Sequence, residues 1–125
     1  MNKEDLKYTE EHEWLYIEDE VCTIGITDFA QGELGDIVFI ELPDNETKIK
    51  LGQSAATIEA VKTVADVYAP ISGEIIDSNQ SLIDTPELIN SNPFDKGWII
   101  KIKLDNSETF PEFMTCKEYE DFINK

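Results

Sequence analysis

A chain of 125 residues and 14.2 kDa has room for one domain, and 41% hydrophobic residues are enough to give it a packed core. Ten basic residues, all of them lysine, stand against 27 acids for a net charge of −17, which excludes a phosphate backbone as the natural partner. The longest apolar runs, Trp14 to Ile17 and Ile37 to Ile40, fall far short of the ~18 residues a membrane-spanning helix needs.

The opening stretch, MNKEDLKYTEEHEW, lacks a basic region followed by an apolar one and is too acidic for a transit peptide. The expected location is the cytoplasm of a bacterium, or the mitochondrial matrix for a processed eukaryotic chain. Cys22 and Cys116 form no CxxC pair and are expected to be two buried, reduced thiols.

In chain order, Trp14 to Ile17 and Val21 to Ile26 are rich in β-branched and aromatic residues and flank the polar Glu18-Asp-Glu20, which predicts two strands and a turn. Asp28-Phe-Ala-Gln31 has the form of an N-cap with Gln at N3, and Gly35 supplies a stop, so a short helix is expected over Asp28 to Leu34. Ile37 to Leu42 is a strand ended by Pro43. Short runs follow at Lys48 to Leu51, Ser54 to Ala60, Val64 to Ala69 and Glu74 to Asp77, the spacing of small sandwiches and barrels. Pro86 and Pro93 bracket one turn of helix with a loop. In Trp98 to Leu104, Ile100, Ile102 and Leu104 share one face, with Lys101 and Lys103 on the other. Thr115-x-x-Glu118 is a capping box, and Cys116, Tyr119, Phe122 and Ile123 form the apolar stripe of an amphipathic helix docked on the sheet.

Most catalytic schemes find no footing. The single histidine, His12, is expected to be a hydrogen-bonded surface or edge residue, and one His with two distant Cys cannot build a zinc site or a triad. GxGxxG, GxxxxGK[ST] and GxSxG are absent. The scattered acids read as a solvated face.

One residue stands apart. Between Lys50 and Lys96 the only base is Lys62, set among seven acids. The run Ile58 to Pro70 reads as two strand-like halves with Lys62 near the middle, and a hairpin there would put its amine at the exposed tip. Val61-Lys62 is a poor turn by propensity, and such breaches of local rules gather at functional sites. By pattern alone, an ordinary lysine in a continuous strand is the simpler reading.

The run Glu59-Ala-Val-Lys62, followed by Asp66-Val-Tyr-Ala-Pro-Ile-Ser-Gly73, resembles the lipoyl-attachment segment of the glycine cleavage system H protein family. His12-Glu-Trp14, Gly25-Ile-Thr-Asp-Phe-Ala-Gln31, Leu34-Gly-Asp-Ile-Val-Phe-Ile-Glu-Leu-Pro43, Pro86-Glu-Leu-Ile-Asn90 and Gly97-Trp-Ile-Ile-Lys-Ile-Lys103 resemble that family in its order. Departures are small: Ala60 and Thr63 stand where the family often has Ser and Ala, and Asp44-Asn-Glu-Thr47 replaces a Val-Gly turn.

The resemblance implies an all-β fold, a barrel-sandwich hybrid of two antiparallel sheets forming one domain over residues 1–125, with a short internal helix and a C-terminal amphipathic helix. It implies a carrier and not an enzyme, with lipoic acid in amide linkage to Lys62. Such an arm takes the aminomethyl group of glycine from a pyridoxal-phosphate glycine decarboxylase to a tetrahydrofolate-dependent aminomethyltransferase and is reoxidised by dihydrolipoamide dehydrogenase. A lipoate ligase or a lipoyl or octanoyl transferase would attach it, reading Glu59 and Gly73. Glu13 and Asp66, with His12 beside the first, are the implied lining of a cleft that shelters the loaded arm. A monomer is expected, without nucleic-acid or membrane partners.

Other carriers fit less well. A biotinyl domain would place Met on both sides of the lysine, where Val61 and Thr63 stand, and the lipoyl domain of a 2-oxoacid dehydrogenase would show Asp-Lys-Ala. An acidic interaction module, or an H-like protein that relays lipoyl groups to other enzymes, stays open at this point.

Overall fold

The computed structural model describes residues 3–104 and 113–124. Among the described residues, alternation of apolar and polar residues builds nine strands: β1 (Lys7–Tyr8), β2 (Glu13–Glu18), β3 (Val21–Ile26), β4 (Ile37–Glu41), β5 (Lys48–Ile49), β6 (Ser54–Ala60), β7 (Val64–Tyr68), β8 (Gly73–Ser78) and β9 (Ile100–Leu104). They form a six-stranded sheet in the order β1-β2-β3-β9-β8-β5 and a three-stranded sheet in the order β4-β6-β7, each antiparallel throughout. The inward faces of both sheets pack into one core, in which Ile24, Ile58, Ile75, Ile100 and Ile102 are sealed from solvent. This is the two-sheet architecture that the family resemblance implies.

The β2–β3 hairpin turns at Asp19 and Glu20, with φ of 50° and 68°. Positive φ at both positions matches the strand twist. In β9 the isoleucines and Leu104 point inward while Lys101 and Lys103 face out, as the alternation predicts. Gly73 opens β8 because a Cβ there would lie on the Lys103 carbonyl, and Gly25 leaves room for the Trp14 ring. β5 is shorter than its apolar run.

Helix α1 (Asp28–Leu34) lies where expected, but its N-cap is Thr27. The Thr27 hydroxyl accepts from the Ala30 N–H at 3.2 Å, while Asp28 is the first helical residue and accepts from Gln31 Nε2 at 2.9 Å. Threonine wins because its extended backbone, φ −76° and ψ 165°, is that of a cap. A short helix not signalled by the sequence, α2 (Ser81–Asp84), buries Leu82, and α3 (Leu88–Ser91) is the turn between the prolines.

The last helix, α4 (Cys116–Ile123), has the full capping box from Thr115 and Glu118. Its Tyr119 ring stacks on Tyr8 at 4.8 Å and joins Leu6 and Trp14 in a second, mostly aromatic cluster. The cysteines part company here. Cys22 is fully buried in the main core and its thiol is pushed up to about 12 by that burial, whereas Cys116 is only half-buried, because it lies at the first turn of an exposed helix.

Candidate functional site

Lys62 occupies the exposed tip of the hairpin between β6 and β7. Glu59 faces Val64, the Ala60 N–H donates to the Thr63 carbonyl at 2.8 Å, and the chain reverses through Val61 and Lys62. Neither residue has a positive φ, so the reversal does not need the Gly or Asn that a primed turn demands. This removes the apparent breach of propensity. The Val61 N–H is held by the Asp36 carbonyl at 3.0 Å, which ties the tip to the connection between α1 and β4.

The outer face of the small sheet follows from its register. Phe39, Glu59 and Val64 form one cross-strand row, and Glu41, Thr57 and Asp66 the next. A bulge between Ile37 and Phe39 turns Val38 outward as well. Lys62 therefore rises from a collar of exposed apolar side chains, with Val61 at 68% and Val64 at 61% exposure. The Asp66 carboxylate is fixed by the hydroxyls of Thr57 at 3.0 Å and Ser54 at 3.2 Å, both on β6.

Strand β7 is an edge, and a groove of about 730 Å³ runs beside it. Val64, Asp66 and Tyr68 line one side, with His12, Phe29 and Leu34 among the residues opposite. The groove thus begins two residues from Lys62. His12 sits at φ 66°, and its Nδ1 lies 2.8 Å from the Tyr119 hydroxyl, which in turn lies 2.7 Å from Thr27 Oγ1. The imidazole is locked to the last helix, as a hydrogen-bonded edge residue is expected to be.

Glu13 lies behind this groove. It is 2% exposed and lines a neighbouring groove of about 530 Å³, on the other side of Tyr68. Its carboxylate accepts the Tyr68 N–H at 2.7 Å and the Thr9 hydroxyl at 3.2 Å. Burial outweighs these two bonds and pushes its pKa from 4.5 up to about 7. The structure therefore brings His12 and Asp66 to one groove and sets Glu13 apart, with Tyr68 lining both.

Glu59 is exposed on the hairpin itself, but Gly73 lies in the other sheet, paired with Ile49 and Leu104. Sequence reasoning missed Tyr68, Tyr119 and Asp36. Asp36 left no signal, since its backbone carbonyl does the holding. Among the described residues no group of His, Cys, Asp and Glu is placed to hold a metal, and no helix is long and apolar enough to cross a membrane.

The family model for the glycine cleavage H-protein matches residues 6–125. A probable glycine cleavage system H protein of Aeropyrum pernix is 50% identical over 123 residues, 98% of this chain and 86% of that one. The glycine cleavage system H protein of Staphylococcus carnosus is 44% identical over 98% of this chain and 97% of its own. A crystal structure of a glycine cleavage system H protein from Mycobacterium marinum superposes with a TM-score of 0.89 at 33% identity, covering 98% of both chains.

Proposed function

Because the chain belongs to the glycine cleavage H-protein family, the lipoyl carriers of the glycine cleavage system, we propose that Lys62 is the residue that bears the lipoyl amide. The observation that carries this reading is the placement of that isolated lysine on an exposed tip, at the mouth of a groove along the edge of β7.

The residues fit the group. An exposed amine on a tethered turn can enter a modifying enzyme's active site while the domain stays outside. Lysine plus lipoyl chain reaches on the order of 14 Å. Four residues of strand, from Lys62 to Asp66, rise about 13 Å, so an arm laid along β7 ends at the Asp66 carboxylate. When attached, lipoate supplies a redox-active disulfide that accepts the aminomethyl group of glycine.

Each side chain then has its own task. Asp66, oriented by Thr57 and Ser54, offers a carboxylate to a cationic amine through a charge-assisted hydrogen bond. His12, pinned by Tyr119, forms part of the opposite wall. Glu13 keeps the groove in shape by fixing the Tyr68 backbone. Glu59 marks the hairpin for a lipoate ligase or a lipoyl or octanoyl transferase, while Gly73 serves recognition by holding the fold that presents it. The carrier works as a single-domain monomer in the cytoplasm, catalysing nothing itself and visiting glycine decarboxylase, aminomethyltransferase and dihydrolipoamide dehydrogenase. The relatives' bacterial and archaeal origin accords with that location.

Intact mass and peptide mapping of the chain produced in a lipoylating host test the reading. A lipoyl group on Lys62 alone is expected. Biotin at that position, or lipoate on another lysine, would overturn it.

A further inference from the structure

The tip that presents Lys62 is held by something outside its own hairpin. The Val61 N–H, next to the lysine, donates to the Asp36 carbonyl at 3.0 Å. That bond is only as firm as the short connection on which Asp36 lies, between the end of α1 and the start of β4, where Gly35 has a φ of 81°. Such a segment has no ladder of its own to hold it.

Asn90, in α3, supplies the hold. Its Nδ2 donates to the Gly35 carbonyl at 2.9 Å and to Gln31 Oε1 at 2.8 Å, and its Oδ1 accepts the Ile37 N–H at 2.9 Å. Because Oδ1 must face a backbone N–H, the amide has only one satisfied orientation. One side chain thus grips the residues on both sides of Asp36, and through Asp36 the residue before Lys62. α3 is in turn anchored in the main core by Ile89, which is fully buried.

We propose that Asn90 is a positioning residue for the modification of Lys62: it clamps the 35–37 connection so that the Asp36 carbonyl holds Val61 and the lysine tip meets the lipoylating enzyme already ordered. The consequence for modification rests on the reading of Lys62 above, whereas the clamp itself does not. Without it, the tip samples other conformations, and the enzyme binds only the competent fraction. A loss of order at one to two residues corresponds to about tenfold in that fraction. The loss falls on KM and leaves kcat unchanged.

Three measurements on the full chain test this. In Asn90→Ala, amide hydrogen exchange at Val61 should speed at least tenfold beyond any change at the β9 amides, which report global opening. Enzymic lipoylation should show KM about tenfold higher at unchanged kcat. Val61→Pro, which deletes the N–H that Asp36 accepts, should raise KM similarly, and the double variant should be no worse than either single one. Val61 protection that falls only in step with β9, or KM effects that multiply in the double variant, would overturn the clamp. Should Val61→Pro fail to fold, exchange at Val61 in Asn90→Ala decides alone. A parent chain that is never modified at Lys62 would sink the functional reading instead, and the exchange experiment would still stand.

Discussion

In the six-stranded sheet, β9 turns Ile100, Ile102 and Leu104 into the core and only lysines outward, and its neighbour β8 buries Ile75 completely. In the three-stranded sheet, Ile58 and Val67 are buried as thoroughly, yet the outer face carries Phe39 and Val64 in solvent, beside Val38 and Val61. Both sheets meet the same core, so the difference lies in what faces outward. Apolar residues gathered on an outer face mark a place other molecules touch. The large sheet exposes apolar residues only singly, Ile17 on β2 and Ile76 on β8, whereas the small sheet gathers four beside Lys62, an outer face suited to contact with other molecules.

Several substitutions break or sharpen that contrast. Lys62→Arg should abolish lipoylation while leaving the unfolding midpoint where it is, since an exposed tip residue contributes little to stability; mass spectrometry beside a denaturant melt checks both halves. Ile75→Ala in the large sheet should cost about 2–5 kcal/mol by leaving a cavity in a sealed core, read by chemical denaturation.

Glu13, between the two regions, should impose a pH dependence. Its folded pKa of about 7 lies above the ordinary 4.5, so the native state holds a proton that the unfolded state releases. The contribution of Glu13 is then most favourable below pH 4.5, is lost as pH rises from there through 7, and above pH 7 amounts to the whole cost of a buried carboxylate, about 3 kcal/mol. Glu13→Gln, which keeps an acceptor for the Tyr68 N–H, should gain on the parent by that amount between pH 4.5 and 8. Parallel stability profiles for the two would show the charge to be tolerated.

Gly73→Ala should lose about 1–3 kcal/mol through conflict with the Lys103 carbonyl. Loss of lipoylation at full stability would instead make Gly73 a recognised residue. Val64→Ala should be the mildest, within about 0.5 kcal/mol in stability, while slowing modification measurably because the enzyme must cover it.

The sequence carried the features governed by local periodicity. β2, β3, β6, β9 and the capped α4 are legible because alternation or a capping box fixes them residue by residue. The cap of α1 lies one position before the one the sequence predicts, since Thr27 and Asp28 are both good cap residues and only the backbone decides. Lys62 stood out by its isolation among acids, and its hairpin by two flanking β-rich halves. What the sequence could not display is how distant segments meet: that Glu13 is spent on the Tyr68 amide 55 positions away, that Asp36 grips Val61 through a carbonyl every residue possesses, or that Tyr119 reaches His12. Contacts of this kind leave no periodicity.

The burial of Cys22 matters for a member of a lipoyl-carrier family, whose arm ends in a disulfide. Thiol–disulfide exchange requires a thiolate, and a thiol held near pKa 12 supplies only about one part in a hundred thousand of it at neutral pH. Sealed in the core on β3, between its neighbours β2 and β9, that sulfur cannot attack the disulfide of a lipoyl arm to form a mixed disulfide. Cys116 is also shifted upward, first by desolvation and then by its bond to Glu120. Both shifts lower the thiolate fraction at neutral pH, so neither cysteine competes as a free thiol would for the disulfide of a lipoyl arm.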